Sequence, residues 1–199
     1  MNLTATTKAI QRQLGFTGRD VDGTWGPDTA GATLRALDGG EVLEPPADDE
    51  WLDKRTKKNL ATLEPRARVK FLPFVKAAKG IAASMGCELK VICGHRNRAD
   101  QAKAVRDGAS RASYGFSWHN YGIAIDYGLF KGRSYVDGDN PDLAWTIYSA
   151  IGEIADDHGM EWGGSWSSFV DSPHFHIDTG PSTPTARDRR KLFRGDWSF

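Results

Sequence analysis

No stretch of this chain approaches the roughly 20 consecutive apolar residues that a membrane-crossing helix needs, so no membrane insertion is expected. Cysteine is scarce: Cys87 and Cys93 are the two in the chain. Two thiols do not make a disulfide framework, and a Cys/His metal cluster needs more partners at short spacing. Both are expected as buried, reduced side chains. Neither sign of charge is in excess, since 26 Lys+Arg face 26 Asp+Glu. That balance argues against broad nucleic-acid binding, which leaves a surplus of Lys and Arg. A local basic cluster remains at Arg187, Arg189, Arg190, Lys191 and Arg194. The first residues, MNLTATTKAIQRQLG, lack the apolar core of a secretory leader. There is no internal repeat and no low-complexity tract.

What is present is an ordinary globular composition: 199 residues, 39% hydrophobic and 26% charged, with 22 Gly and 9 Pro. That length suits one medium domain, or one domain with a small appendage. Residues 7–14 read as a short helix, with Ile10 and Leu14 on one face and Gly15 as its stop. Asp-Gly and Gly-Pro turn signals follow at 22–23 and 26–27, and a second helix is expected from about 27 to 38. Residues 39–50, GGEVLEPPADDE, form the best linker candidate. The expected organisation is therefore a helical segment over 1–38, a linker over 39–50 and a main domain over 51–199.

In the main domain, helical spacing is expected over 51–63, 67–85, 98–107 and 143–158. Strands are expected over 88–93, 122–129 and 173–178, with a Gly-Trp loop at 162–166. Helices first and strands after, with long connections, predict an α+β fold with a small antiparallel sheet packed on helices.

Five histidines carry the chemical interest: His95, His119, His158, His174 and His176. His158 lies beside Asp156 and Asp157 and is expected at the surface. His119 sits at the end of a loop, and Asp126 follows inside the apolar strand segment GIAID. An ionised carboxylate among apolar neighbours is costly unless it is paired or metal-bound. His174 and His176 fall on one face of the last strand by alternation. Imidazole and carboxylate ligands suit Zn²⁺, whose catalytic sites keep a fourth position open.

Ser117-x-His119-x-x-Gly122-x-Ala124-x-Asp126 resembles the signature of the zinc D-Ala-D-Ala carboxypeptidase and L-Ala-D-Glu endopeptidase superfamily, peptidase family M15. Gly94-His95-Arg96 followed by Gln101 is similar to a second segment of that family, with His95 where Tyr is usual and Asn97 where Ser is usual. Asp171-x-Pro173-His174-Phe175 resembles its third motif, and Trp162-Gly163-Gly164-x-Trp166 the stretch before that motif in the phage-endolysin branch. The resemblance spans about residues 59–178. It implies a zinc site held by His119, Asp126 and His174. It implies Asp171 as general base and acid, and Arg96 as anchor or oxyanion stabiliser. The His174-x-His176 pair leaves an alternative open, in which His176 is the ligand and His174 the base. Phe116, Trp118, Tyr121, Trp162 and Trp166 read either as core or as walls of a peptide cleft.

The N-terminal pattern Gln11…Leu14-Gly15…Asp22-Gly23-x-Trp25-Gly26…Thr29 resembles the peptidoglycan-binding type-1 module, in a shortened form. Together the resemblances imply an endolysin-type hydrolase that cuts the L-alanyl-D-glutamate amide of the murein stem peptide. The expected partner is peptidoglycan alone, and the expected state is a monomer. The expected location is the host cytoplasm before lysis and the cell wall afterwards. Two rivals are a D-Ala-D-Ala carboxypeptidase of the same family and a non-catalytic wall-binding protein with a structural zinc.

Overall fold

The computed structural model describes residues 3–16, 21–23, 29, 32 and 50–193. Along the chain run α1 (Leu3–Gln13), α2 (Lys54–Leu60), α3 (Pro65–Ser84), β1 (Glu88–Cys93), α4 (Arg98–Arg106), β2 (Ala124–Lys131), β3 (Ser134–Tyr135), α5 (Val136–Asp139), α6 (Pro141–Gly152), β4 (Met160–Trp162), β5 (His174–Ile177) and α7 (Ala186–Phe193), with short 3-10 turns at Trp118–Tyr121, Asp156–His158 and Gly163–Ser165. The chain divides into two units, one of residues 43–95 and 122–182, the other of residues 1–42, 96–121 and 183–199. The expected helix at 27–38 falls outside the described residues except for Thr29 and Ala32, and the linker at 39–50 does so except for Glu50.

The first unit is built on an antiparallel sheet in the order β1-β2-β5-β4, with β3 paired to β2. The expected α+β class, with helices packed on a small antiparallel sheet, is what the chain adopts. One face of the sheet is apolar and meets α3. Phe74 is fully buried there, its ring 5.2 Å from Phe175 and 6.2 Å from Tyr127. Strand alternation puts Ile125, Tyr127, Phe175 and Ile177 on this face, and all four are buried. The opposite face is therefore free to carry polar groups, and its residues build the site below.

Helix α2 starts later than residue 51 because Asp53 caps it, accepting from the backbone N–H groups of Arg55 and Thr56. Burial opposes ionisation of Asp53. Hydrogen bonds from Thr56 and Lys79 outweigh it and hold the carboxyl below its ordinary pKa. Lys79 of α3 donates to Asp53 at 3.1 Å and to the Leu89 carbonyl at 2.9 Å, tying two helices to β1. Two α2 side chains satisfy the backbone of Val91: Thr56 Oγ1 accepts from its N–H at 3.0 Å and Asn59 donates to its carbonyl at 2.8 Å. Asp137 plays a similar part for β2, accepting from the Leu129 N–H at 2.9 Å and from the Tyr148 hydroxyl at 2.5 Å.

Several expectations are corrected here. The helix expected over 143–158 stops at Gly152, where the Trp162 ring packs so close that a side chain would meet it at 2.3 Å. Of Ile147, Ile151, Ile154 and Ala155, which the helical spacing turns inward, Ile154 is only half-buried and the other three are buried; His158 is half-buried against Phe74 at 5.5 Å rather than on the surface. Val69 lies on the apolar spacing of α3 yet is 43% exposed. Trp162, expected as the first residue of a loop, instead closes the edge strand β4 (Met160–Trp162).

In the second unit, the motif residues near the N-terminus meet one another. Gln11 is buried; its amide donates to Asp22 Oδ1 at 2.8 Å and to Thr29 Oγ1 at 3.0 Å, and its carbonyl accepts from the Gly23 N–H at 2.9 Å. Helix α7 carries the basic cluster, of which Arg194 lies outside the described residues, and Arg189 stacks over the Phe116 ring at 4.0 Å.

Candidate metal centre and its surroundings

The sheet places Asp126 and His174 as direct register partners on β2 and β5. Opposed residues of an antiparallel pair share a face, so the carboxylate and the imidazole meet: His174 Nδ1 is 3.0 Å from Asp126 Oδ1. His174 is buried and the Asp126 side chain is about one-fifth exposed, with a relative accessibility of 19%. Ligand bonds of about 2.0–2.2 Å put two ligand atoms of a tetrahedral zinc about 3.3 Å apart. The Asp126–His174 pair thus fits the donor set and spacing that zinc requires.

A bulge adds a third group to this face. Val91 pairs with Tyr127, but Cys93 pairs with Asp126, so the register shifts by one between them. The shift turns Cys93 towards the polar face instead of the Phe74 side. Its Sγ lies within 4.8 Å of an Asp126 carboxylate oxygen. Both cysteines are reduced, as expected, yet Cys93 is half-exposed rather than buried.

His176 lies two residues further along β5, in register with Ala124 on one side and Glu161 on the other. It is fully buried, and its Nε2 is 3.5 Å from Glu161 Oε2. Glu161 also accepts from the indole N–H of Trp166 at 2.5 Å. Burial works against its ionisation, but the bonds from His176 and Trp166 prevail and lower its pKa. The Trp166 ring completes the face, 5.1 Å from His174 and 6.0 Å from His176. Glu161 was not legible in the sequence, since no spacing rule marks an acid on a three-residue edge strand.

Asp171 is fixed by its backbone. Its N–H donates to the Gly163 carbonyl at 3.0 Å, and its carbonyl accepts from the His174 N–H at 3.1 Å. Trp162 stacks on Phe175, and its indole N–H donates to the Ser172 carbonyl at 2.8 Å, holding down the loop that carries the acid. Gly163 is needed for close approach: a Cβ there would stand 2.6 Å from the Asp171 carbonyl and 3.1 Å from His174 Cβ. Gly163→Ala should therefore push the Asp171 backbone off His174, lowering the folding stability by about 1–3 kcal/mol and the melting temperature with it. Hydrolysis should fall further than stability does. Thermal melting and turnover measured on the same preparation check this; an unchanged turnover removes the packing argument.

Arg96 and His119 belong to the other unit, where the structure ties them together. The Arg96 N–H donates to the His119 carbonyl at 3.0 Å, and Asn120 Nδ2 donates to the Arg96 carbonyl at 2.9 Å. Gln101, fully buried, donates to Ser110 Oγ at 2.9 Å and the Ala112 carbonyl at 2.7 Å, while Asn120 donates to its Oε1 at 3.2 Å. The segment Gly94-His95-Arg96…Gln101 is thus knitted to the His119 turn through two amides. His119 is buried and Arg96 half-buried. The His95 N–H donates to Thr62 Oγ1 at 2.9 Å. The motif glycine Gly122 has φ +67°, and a Cβ there would meet the Glu64 N at 2.7 Å, so both backbone conformation and space demand glycine. Of the aromatic residues flagged as core or cleft wall, Trp118 and Tyr121 are core, Phe116 is exposed under Arg189, and Trp162 and Trp166 flank the histidine strand.

A fold of helices on an antiparallel sheet, with a carboxylate and an imidazole 3.0 Å apart on its polar face, suits a metal-dependent hydrolase. The family model described as D-alanyl-D-alanine carboxypeptidase, of peptidase type M15, matches residues 110–177. The chain belongs to the M15 family of metallopeptidases. It is 32% identical over 123 residues to the peptidoglycan L-alanyl-D-glutamate endopeptidase CwlK of Bacillus subtilis (strain 168), covering 53% of this chain and 72% of that one. It is 34% identical over 100 residues to the L-alanyl-D-glutamate peptidase of Listeria phage A118, covering 48% of this chain and 32% of the phage protein. Among solved structures, the L-Ala D-Glu endopeptidase ChiX of Serratia marcescens is similar, at 26% identity and a TM-score of 0.46, covering 63% of this chain and 87% of that one.

Proposed function

We propose that this chain is a zinc-dependent peptidoglycan hydrolase that cleaves the L-alanyl-D-glutamate amide of the stem peptide. The observation that carries the reading is the Asp126–His174 register pair, with ligand atoms 3.0 Å apart, inside the segment matched by the family model. The printed activities of the relatives favour the endopeptidase over the carboxypeptidase.

In this reading His119, Asp126 and His174 hold the ion. Zinc bound there supplies Lewis-acid polarisation of the scissile carbonyl and a water acidic enough to ionise near neutral pH. Asp171 takes the proton of the attacking water and passes it to the departing amine. Its placement by Gly163 and Trp162 makes it a fixed base rather than a wandering surface acid. The Arg96 guanidinium meets the charge that develops on the carbonyl oxygen. His174 is favoured over His176 as ligand because it stands in register with Asp126, the carboxylate ligand of this reading, whereas His176 stands opposite Glu161.

The deciding experiment digests purified murein with and without chelator and weighs the released peptides. New N-terminal D-glutamate in the zinc-loaded digest alone supports the reading. Free D-alanine identifies the carboxypeptidase instead, and an absence of products in every arm leaves the wall-binding alternative. For the N-terminal segment, we propose murein binding without a part in the chemistry, since it supplies none of these ligands. A tethered binding segment raises the local concentration of the hydrolase at the wall. Full-length chain should be pulled down by murein more strongly than a chain lacking residues 1–38. Equal pull-down removes the assignment.

A further inference from the structure

We infer that Glu161 is a positioning residue for the metal centre, acting through Trp166 on the His174 imidazole; the inference rests on the reading of His174 as a ligand. Three observations carry it. First, Glu161 stands on β4 in register with His176, so its side chain is on the same sheet face as His174 and Asp126. Second, its two carboxylate oxygens are divided between two different groups: Oε1 accepts from the Trp166 N–H at 2.5 Å and Oε2 faces His176 Nε2 at 3.5 Å. Third, the indole so held lies 5.1 Å from the His174 ring, and the two histidine rings lie 5.3 Å apart.

The physical consequence is restraint. A histidine ligand is useful only while its ring plane points a nitrogen at the ion, and groups around the ligand commonly fix that plane. On one side of the His174 ring lies Asp126, its Oδ1 3.0 Å from Nδ1. The Trp166 ring, packed at an interplanar angle of 47°, limits rotation from another side. Trp166 itself follows a 3-10 turn with exposed residues beyond it, so its ring needs an anchor, and the Glu161 carboxylate is that anchor. A charge-assisted bond to an indole N–H is stronger than a neutral one, which suits a half-exposed ring. Glu161 touches neither substrate nor ion in this scheme.

The test uses the full chain and two readouts: the zinc dissociation constant by competition with a chromophoric chelator, and kcat and KM on a stem peptide. E161A should weaken zinc binding by about 10-fold or more, the size usual for groups that orient ligands, and lower kcat with KM unchanged. W166F keeps a ring but loses the donor, and should shift zinc affinity in the same direction. E161Q keeps an acceptor for the indole N–H and should restore affinity to within a few-fold of the parent. Parental zinc affinity in both E161A and W166F overturns the inference, as does an E161Q chain as impaired as E161A. If E161A does not fold, the contrast between E161Q and W166F decides. Failure of the underlying reading has its own signature: H174A that binds zinc as tightly as the parent removes the ligand assignment. Loss of zinc in H174A with parental affinity in E161A removes only the role of Glu161.

Discussion

A chain carrying Asp126→Ala should fold, bind no zinc at micromolar concentrations and release no peptide from murein. Asp126 sits within a sheet but is not part of its apolar core; its side chain retains 19% relative accessibility, so its loss opens no apolar cavity. What it removes is the one carboxylate of the proposed ligand set. Two remaining neutral imidazoles seldom hold Zn²⁺, because the ion's charge is then met by no anionic ligand. His119→Ala should also lose zinc and activity, because it too leaves two ligands. Metal content by atomic emission and dye release from labelled murein measure the two effects together. Chelation of the parent should reproduce the loss, and added zinc should reverse it. Full lysis by a protein shown to be free of zinc would contradict the mechanism outright.

The second large effect is expected from Asp171→Asn. The amide is nearly isosteric and Asp171 is held through its backbone to Gly163 and His174, so the loop should keep its course. An amide cannot accept the water proton at any accessible pH. A fall in kcat of about 10²–10⁴-fold is therefore expected, the usual contribution of a general base, with zinc content intact. The same variant tests the His174-x-His176 ambiguity. If Asp171→Asn stays active while His174→Ala keeps its zinc, then His176 is the ligand and His174 the base. The contacts of His176 with Glu161 would then need to be read as those of a ligand with its supporting carboxylate.

Much of this site was legible before any coordinates, for a physical reason. Asp126 within GIAID announced itself because a buried carboxylate needs a partner, and β-alternation predicted that His174 and His176 share a face. The long helix α3 was legible because its apolar spacing extends over many turns. What escaped was whatever depends on pairing across distant segments. Glu161 gains its meaning only by standing opposite His176, and β4 is too short at Met160–Trp162 to leave a periodic signal. The bulge after Val91 is a property of two strands together, so the turning of Cys93 towards Asp126 could not be read from either one. The need for glycine at 152 was hidden for the same reason, since the ring that occupies the space comes from Trp162. Capping is a local signal: Asp53 caps α2 and Pro65 opens α3.

The register of β2 against β5 has a consequence for how such a chain can vary. Asp126 and His174 look one way while Tyr127 and Phe175 look the other, onto Phe74. The two strands therefore behave like a text with a two-letter reading frame. One residue gained or lost inside either strand exchanges the faces downstream, sending the carboxylate into the apolar side or an aromatic ring onto the metal side. Length changes there are tolerable only in pairs. Insertions that respect the chemistry must fall instead in segments such as 167–170, which is exposed and leads into Asp171 without belonging to the ladder.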